Sequence, residues 1–230
     1  MVLRRAAEDR TLVDVATRKL REVILSGELR PGEQLVLSEL AQELSMSVMP
    51  VREAIGRLQA EGLVDQRPHR GARVSPVSTA DLEDLYVVRI ALETLATREA
   101  AAKFAEEDYE RLSGVLEEYV RAYEAKDAAR GREMHSQFHL GIYELSGSLW
   151  LMRTIPALWD AADRYRRLSA TLRGTLRERY KEHQHILECC RQRDPEAASA
   201  ALEEHLRKTM MVVKAEIGDQ ERVSEDERET

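Results

Sequence analysis

Within the first third of the chain, the spacing of apolar residues changes period, and that change constrains the fold more than any other feature. From Thr11 to Ser26, apolar residues fall at Leu12, Val15, Ala16, Leu20, Val23 and Ile24, the three-and-four spacing of a helix. Gly27 supplies a C-cap and Arg30-Pro31-Gly32 a turn. Ser38 is positioned to cap a short helix holding Leu40, Ala41 and Leu44, and Ser45-Met46-Ser47 breaks it. A second helix is predicted from about Val48 to Glu61, with Pro50 in its first turn, where a missing N–H costs little. Leu63 to Arg67 and Ala72 to Val74 then read as two short strands joined by Pro68-His69-Arg70-Gly71. Helix, helix, tight turn, helix and hairpin are the parts of a winged helix-turn-helix.

Beyond Ser78 the chain reads as helix throughout. The predicted segments are 79–103, 106–126, 128–146, 148–170, 172–192 and 195–217, broken at Lys126-Asp127, Ser146-Gly147-Ser148, Gly174 and Asp194-Pro195. Asp194 is a good N-cap with Pro195 at the first helical position. Stripes such as Leu85, Val88, Leu92, Leu95 and Ala96 imply packing of helix on helix. The expected fold is therefore mainly α: a winged helix-turn-helix over 1–78, an all-α helical-bundle effector domain over 79–218, and a polar, disordered tail over 219–230.

Charge divides at the same place. The whole chain carries a net charge of -7, which by itself argues against a nucleic-acid partner. Residues 1–78, however, hold 12 Lys+Arg and 11 Asp+Glu, a balance of +1, whereas 79–230 hold 23 and 31, a balance of -8. All but one of the N-terminal cations are Arg, the side chain suited to phosphate and base edges. In a winged helix the second helix of the motif enters the major groove. Arg52 and Arg57, with Ser47 and Met49 at the helix start, are the candidate contacts there, and His69 and Arg70 at the hairpin tip are placed to reach a phosphate or the minor groove. The same parts also serve protein–protein contact, so this pattern alone leaves DNA binding and an adaptor role both open.

The second cluster of chemistry is histidine. His135 and His139 are one helical turn apart and share a face. His183 and His205 are too distant to meet on one continuous helix, about 33 Å apart at 1.5 Å per residue. The break at Asp194-Pro195 lies midway between them, so an antiparallel hairpin brings them to one height. Four imidazoles on facing helices suit a metal site in a bundle interior. His185, turned roughly 200° from His183, is excluded. Glu182–His185 is the only Glu-x-x-His spacing, which disfavours a di-iron enzyme. Trp150 and Trp159 are read as core, and the adjacent Cys189 and Cys190 are assigned no role. No apolar run reaches the roughly 18–20 residues of a membrane span. The charged N-terminus lacks the apolar stretch of a signal peptide, so a cytoplasmic location is the expectation.

Sequence detail sharpens both readings. The run from Pro31 to Val74, with Pro50-Val51-Arg52-Glu53-Ala54, Arg57-Leu58, Glu61-Gly62-Leu63-Val64 and Arg70-Gly71 in register, resembles the GntR family of bacterial transcription regulators. The resemblance implies DNA binding, with Arg52 and Arg57 at positions that contact DNA. It departs at Val48, where the family usually carries an Arg that reads a guanine. The second half resembles the FCD effector domain of the FadR-type branch at Asp84-Leu85-Tyr86, Arg89, Glu93, Phe138-His139, Glu182-His183 and Glu204-His205-Leu206. That resemblance implies a divalent ion, often zinc, beside an effector pocket, held by His139, His183 and His205, with the usual Asp slot filled by His135. Nickel also accepts imidazole. Four neutral imidazoles leave the +2 of the ion uncompensated, so a small carboxylate effector is expected at the metal, with Arg89 as its second clamp. Arg89 could equally pair with Glu93, one turn on. The combined reading is a regulator, by family habit a repressor, acting as a homodimer on a palindromic double-stranded operator. A metal-dependent enzyme is the alternative, but it lacks a general base at a recognisable spacing.

Overall fold

The structure, a computed structural model, describes residues 11–67, 71–163, 165–166 and 175–226. The chain divides into two compact units, Met1–Val77 and Ser78–Thr230. The first unit opens with α1 (Leu12–Ser26), held at its start by Thr11. The Thr11 hydroxyl accepts the Asp14 backbone N–H at 3.2 Å, and the Asp14 carboxylate accepts the Thr11 backbone N–H at 3.0 Å. This reciprocal box satisfies donors that no earlier turn can reach. The helix stops at Gly27, whose φ of +85° suits a residue without a Cβ. Thr11→Ala is expected to lower the stability of this unit by about 1 kcal/mol, measured by urea denaturation; an unchanged midpoint would show that the box contributes nothing.

After α1 come β1 (Gln34–Leu35), α2 (Leu37–Glu43), α3 (Val48–Ala60), β2 (Val64–Arg67) and β3 (Gly71–Val74). The strands form an antiparallel sheet ordered β1-β3-β2, with Leu35 opposite Ala72 and Asp65 opposite Arg73. Sequence reading finds only the hairpin strands, because two residues are too few to show a period. The extra strand also moves a helix start. Since Leu35 is paired in the sheet, the chain turns into α2 at Val36, and Ser38 lies inside the first turn instead of capping it. The turn between α2 and α3 places Ser45 at φ +55°. Leu20 of α1, Val51, Ile55 and Leu58 of α3, and Leu63 and Val74 of the hairpin are nearly inaccessible and form one core.

The second unit contains α4 (Thr79–Ala101), α5 (Glu106–Glu124), α6 (Ala128–Glu144), α7 (Leu149–Ala161), α8 (Leu176–Arg191) and α9 (Pro195–Asp226). Ser78, Asp127, Ser148 and Thr175 cap α4, α6, α7 and α8 through their side chains, and the Asp194 carboxylate accepts the Ala197 N–H at the head of α9. α4 packs along α9, α5 lies against α6 and α8, and α8 and α9 form the antiparallel hairpin. α7 ends at Ala161; Asp163, Tyr165 and Arg166 are again helical, and the remainder of the expected 148–170 segment lies outside the described residues. One expectation needs correction. The tail past Gly218, expected to be disordered, continues as helix to Asp226. That stretch has no proline, and Gln220, Glu221, Arg222 and Glu225 are good helix formers that extend an already nucleated helix at little cost.

Candidate functional site

On α3 the side chains divide cleanly. At about 100° per residue, Pro50, Val51, Ala54, Ile55 and Leu58 fall on one arc and are buried. Val48, Met49, Arg52, Glu53 and Gly56 fall on the other and are exposed. Ser47 is the N-cap residue, but its hydroxyl makes no capping bond. Arg52 thus projects outward, as a groove-reading side chain must. Arg57 differs: its guanidinium donates to the Asp14 carboxylate of α1 at 2.6 Å. The Thr11 hydroxyl bond first, then the Arg57 guanidinium, holds the Asp14 carboxyl at about 2. His69 and Arg70 lie outside the described residues. Asp65 and Arg73 are ion-paired across the hairpin at 2.8 Å, which anchors its base.

In the helical unit His135, His139, His183 and His205 meet, with one ring nitrogen from each lying within 4.8 Å of all the others. His139, His183 and His205 are buried and His135 is partly exposed. His185 is exposed, and its Nδ1 lies 3.9 Å from Cys189 Sγ. Burial first, then the neighbouring imidazoles, holds His135 and His139 well below the usual histidine range, so both are neutral near pH 7 and keep a lone pair.

Hydrogen bonds around the cluster aim those lone pairs. His183 Nδ1 lies 2.7 Å from the Arg179 carbonyl oxygen, which can only accept, so Nδ1 carries the proton and Nε2 the lone pair. His205 Nδ1 lies 3.0 Å from a Glu182 carboxylate oxygen, with the same consequence. Tyr143 donates its hydroxyl proton to Glu93 at 2.7 Å and, 3.3 Å from His139 Nδ1, is left to accept from it. His139 Nε2 and His183 Nε2 then face each other at 3.1 Å. Two nitrogens so spaced subtend about 100° at an ion bound at about 2.0–2.1 Å. A cation there satisfies both lone pairs, so the donor set fits a divalent metal with affinity for imidazole.

Beside the cluster lies a cavity of about 10 Å³, room for one water molecule or ion, bordered by Tyr86, Arg89, Trp159, Arg166 and Thr209 as well as His135, His139 and His205. Arg89 is paired with Glu93 through Nε at 2.7 Å and Nη2 at 3.3 Å, both residues essentially inaccessible. Burial opposes the Arg89 charge, yet Glu93 raises its pKa above the ordinary arginine value. The pairing with Glu93 is thus present, while Arg89 Nη1 and the Tyr86 hydroxyl have no hydrogen-bond partner among the described residues, and both side chains border the cavity. Trp159 is buried as expected and stacks near Arg166, with the guanidinium carbon 4.2 Å from its ring centre. Trp150 is 74% exposed and belongs to no core.

Sequence reading misses Glu93 as an anchor for His139, together with Tyr143 and Glu182. Tyr143 sits one turn beyond His139 and Glu182 is next to His183, a signal open to view. Nothing in the sequence marks the Arg179 carbonyl, since every residue has one.

A winged helix with an outward arginine on its second helix, joined to an all-helical unit holding a histidine cluster, defines a DNA-binding transcription regulator. Residues 12–74 match the family model described as bacterial regulatory proteins, gntR family, and residues 84–208 match that of the FCD domain. The chain belongs to the GntR family of bacterial regulators, in its FadR-type branch. The regulator BphR of Paraburkholderia xenovorans is 30% identical over 90% of this chain and 87% of its own length. The transcriptional repressor RspR of Escherichia coli is 28% identical over 83% of each. The solved structure of E. coli McbR/YncC has a TM-score of 0.74 at 25% identity and covers 90% of this chain and 99% of its own. These relatives are regulators, not enzymes. No helix among the described residues is long and apolar enough to cross a membrane.

Proposed function

We propose that this regulator is a cytoplasmic repressor whose hold on DNA is set by a small carboxylate, bound at a divalent ion held by His135, His139, His183 and His205. The observation that carries this reading is the convergence of four ring nitrogens, three with hydrogen-bond partners that turn a lone pair inward. Zinc is the first candidate ion and nickel the second. Four neutral ligands leave the ion's charge intact, and an anionic effector offsets it, with Arg89 Nη1 and the Tyr86 hydroxyl as further donors. The cavity holds little more than an ion, so an effector must favour a more open arrangement. Its differential affinity for that arrangement is what shifts DNA binding.

The regulator acts as a homodimer on a palindromic operator. Supporting this, α4 exposes an apolar stripe at Val87, Val88, Ala91 and Leu95, opposite the face it buries. Symmetry of the protein then matches symmetry of the operator.

Untagged protein should carry about one zinc or nickel per chain by elemental analysis, and a saturating carboxylate should raise its Tm by about 5–10 °C. Removing the metal should abolish that rise. His139→Ala should lose the metal. Protein without stoichiometric divalent metal would overturn the site, and an equal thermal rise in stripped protein would overturn the metal's part in effector binding.

A further inference from the structure

The outward arc of α3 carries more apolar surface than a solvated helix face requires. Val48 is 36% and Met49 59% exposed, and the two are adjacent at the helix start, in the turn that meets base edges in a helix-turn-helix. Arg52 and Arg57 are the cations on this arc, with Arg57 ion-paired to Asp14, and Glu53 is the one anion within the helix. Gly56 lies near its centre, about 80° round from Val48. A Cβ added at Gly56 would meet no atom of the described residues within 4 Å, so no packing among them calls for glycine there. Glycine in a helix interior costs about 1 kcal/mol relative to alanine. Leaving the middle of the exposed face bare does, however, let an outside surface approach the helix closely.

We infer that Val48 and Met49 read thymine, by packing against the 5-methyl groups that A·T pairs present in the major groove. The chemistry of the groove supports this choice. Guanine offers two acceptors, cytosine and adenine an amino donor, and thymine alone an apolar group, so side chains with no donor or acceptor find their complement only there. Arg52 beside them suits guanine and Glu53 suits the cytosine amino group. Each half-site recognised by this helix therefore contains thymine next to a G·C pair. The inference rests on the DNA-binding role of the family and adds which bases this particular helix selects.

The test uses the full-length protein. A preferred duplex is selected from a random pool, then resynthesised with deoxyuridine in place of each thymidine in turn. That change removes the methyl group and leaves every hydrogen-bonding group in place. At one or two positions per half-site, the substitution should weaken binding about fourfold, the value of one buried methyl group. Val48→Ala and Met49→Ala proteins should each lose the penalty at one position. Val48→Arg should change the preferred base at its position from thymine to guanine. The inference is overturned if no sequence is enriched, if every uracil-substituted site binds as tightly as the parent, or if the Ala variants keep the full penalty.

Discussion

Glu93→Ala is expected to cost the helical unit about 3–5 kcal/mol, among the largest effects of any single substitution in this chain. Arg89 and Glu93 are 1% and 0% exposed, and their two hydrogen bonds lie where water cannot replace them. Deleting the carboxylate leaves a guanidinium charged and buried, since arginine does not deprotonate in proteins. It also removes the acceptor of the Tyr143 hydroxyl, and with it the contact that sets the His139 tautomer. Two measurements should therefore move together: the denaturation midpoint and the affinity for metal. Replacing both partners, as in Arg89→Met with Glu93→Leu, should cost much less than Glu93→Ala alone, because no unpaired charge remains. A cost below about 1 kcal/mol for Glu93→Ala would mean that water reaches Arg89 and that the pair is not a buried one.

Arg52→Ala is expected to weaken operator binding by about 5- to 150-fold, the value of one bidentate contact to a base. Arg52 projects from the outward face of α3 near its start. Arg57→Ala should do less, because its guanidinium is already engaged by Asp14 at 2.6 Å and must leave that partner to reach DNA. Gel shifts at several salt concentrations separate the modes of contact. If Arg52 reads a base, specificity relaxes at one position; if it meets a phosphate, the salt slope falls by about one unit and sequence preference survives. Unaltered affinity for Arg52→Ala would remove α3 from the groove. Circular dichroism of the exposed variant, matching the parent, would confirm that any loss is local.

Much of this is legible in the order of the residues. The three-and-four spacing in Leu12 to Ile24, the bounding Thr11 and Gly27, and the break at Asp194-Pro195 are local signals, and local signals survive in one dimension. The break alone is enough to put His183 and His205 at one height, and in the folded chain their ring centres lie 4.7 Å apart. Signals that depend on a distant partner are not readable. The strand at Gln34–Leu35 exists because Ala72 and Arg73 lie beside it. Arg57 is drawn to Asp14 only because α1 packs on α3. Trp150, apolar in composition, is 74% exposed, because no local signal tells whether a distant helix packs over it.

The sequence by itself determined the class of fold, the division near Ser78 and the grouping of the four histidines, because each follows from periodicity, capping or spacing along one chain; the family was legible through the resemblance of its motifs. Only the tertiary structure decided which nitrogen His139, His183 and His205 turn inward, that Arg89 pairs with Glu93, and which face of α3 stays exposed. Those outcomes depend on hydrogen bonds and burial between residues far apart in the chain, and such contacts leave no periodic trace in the order of the residues.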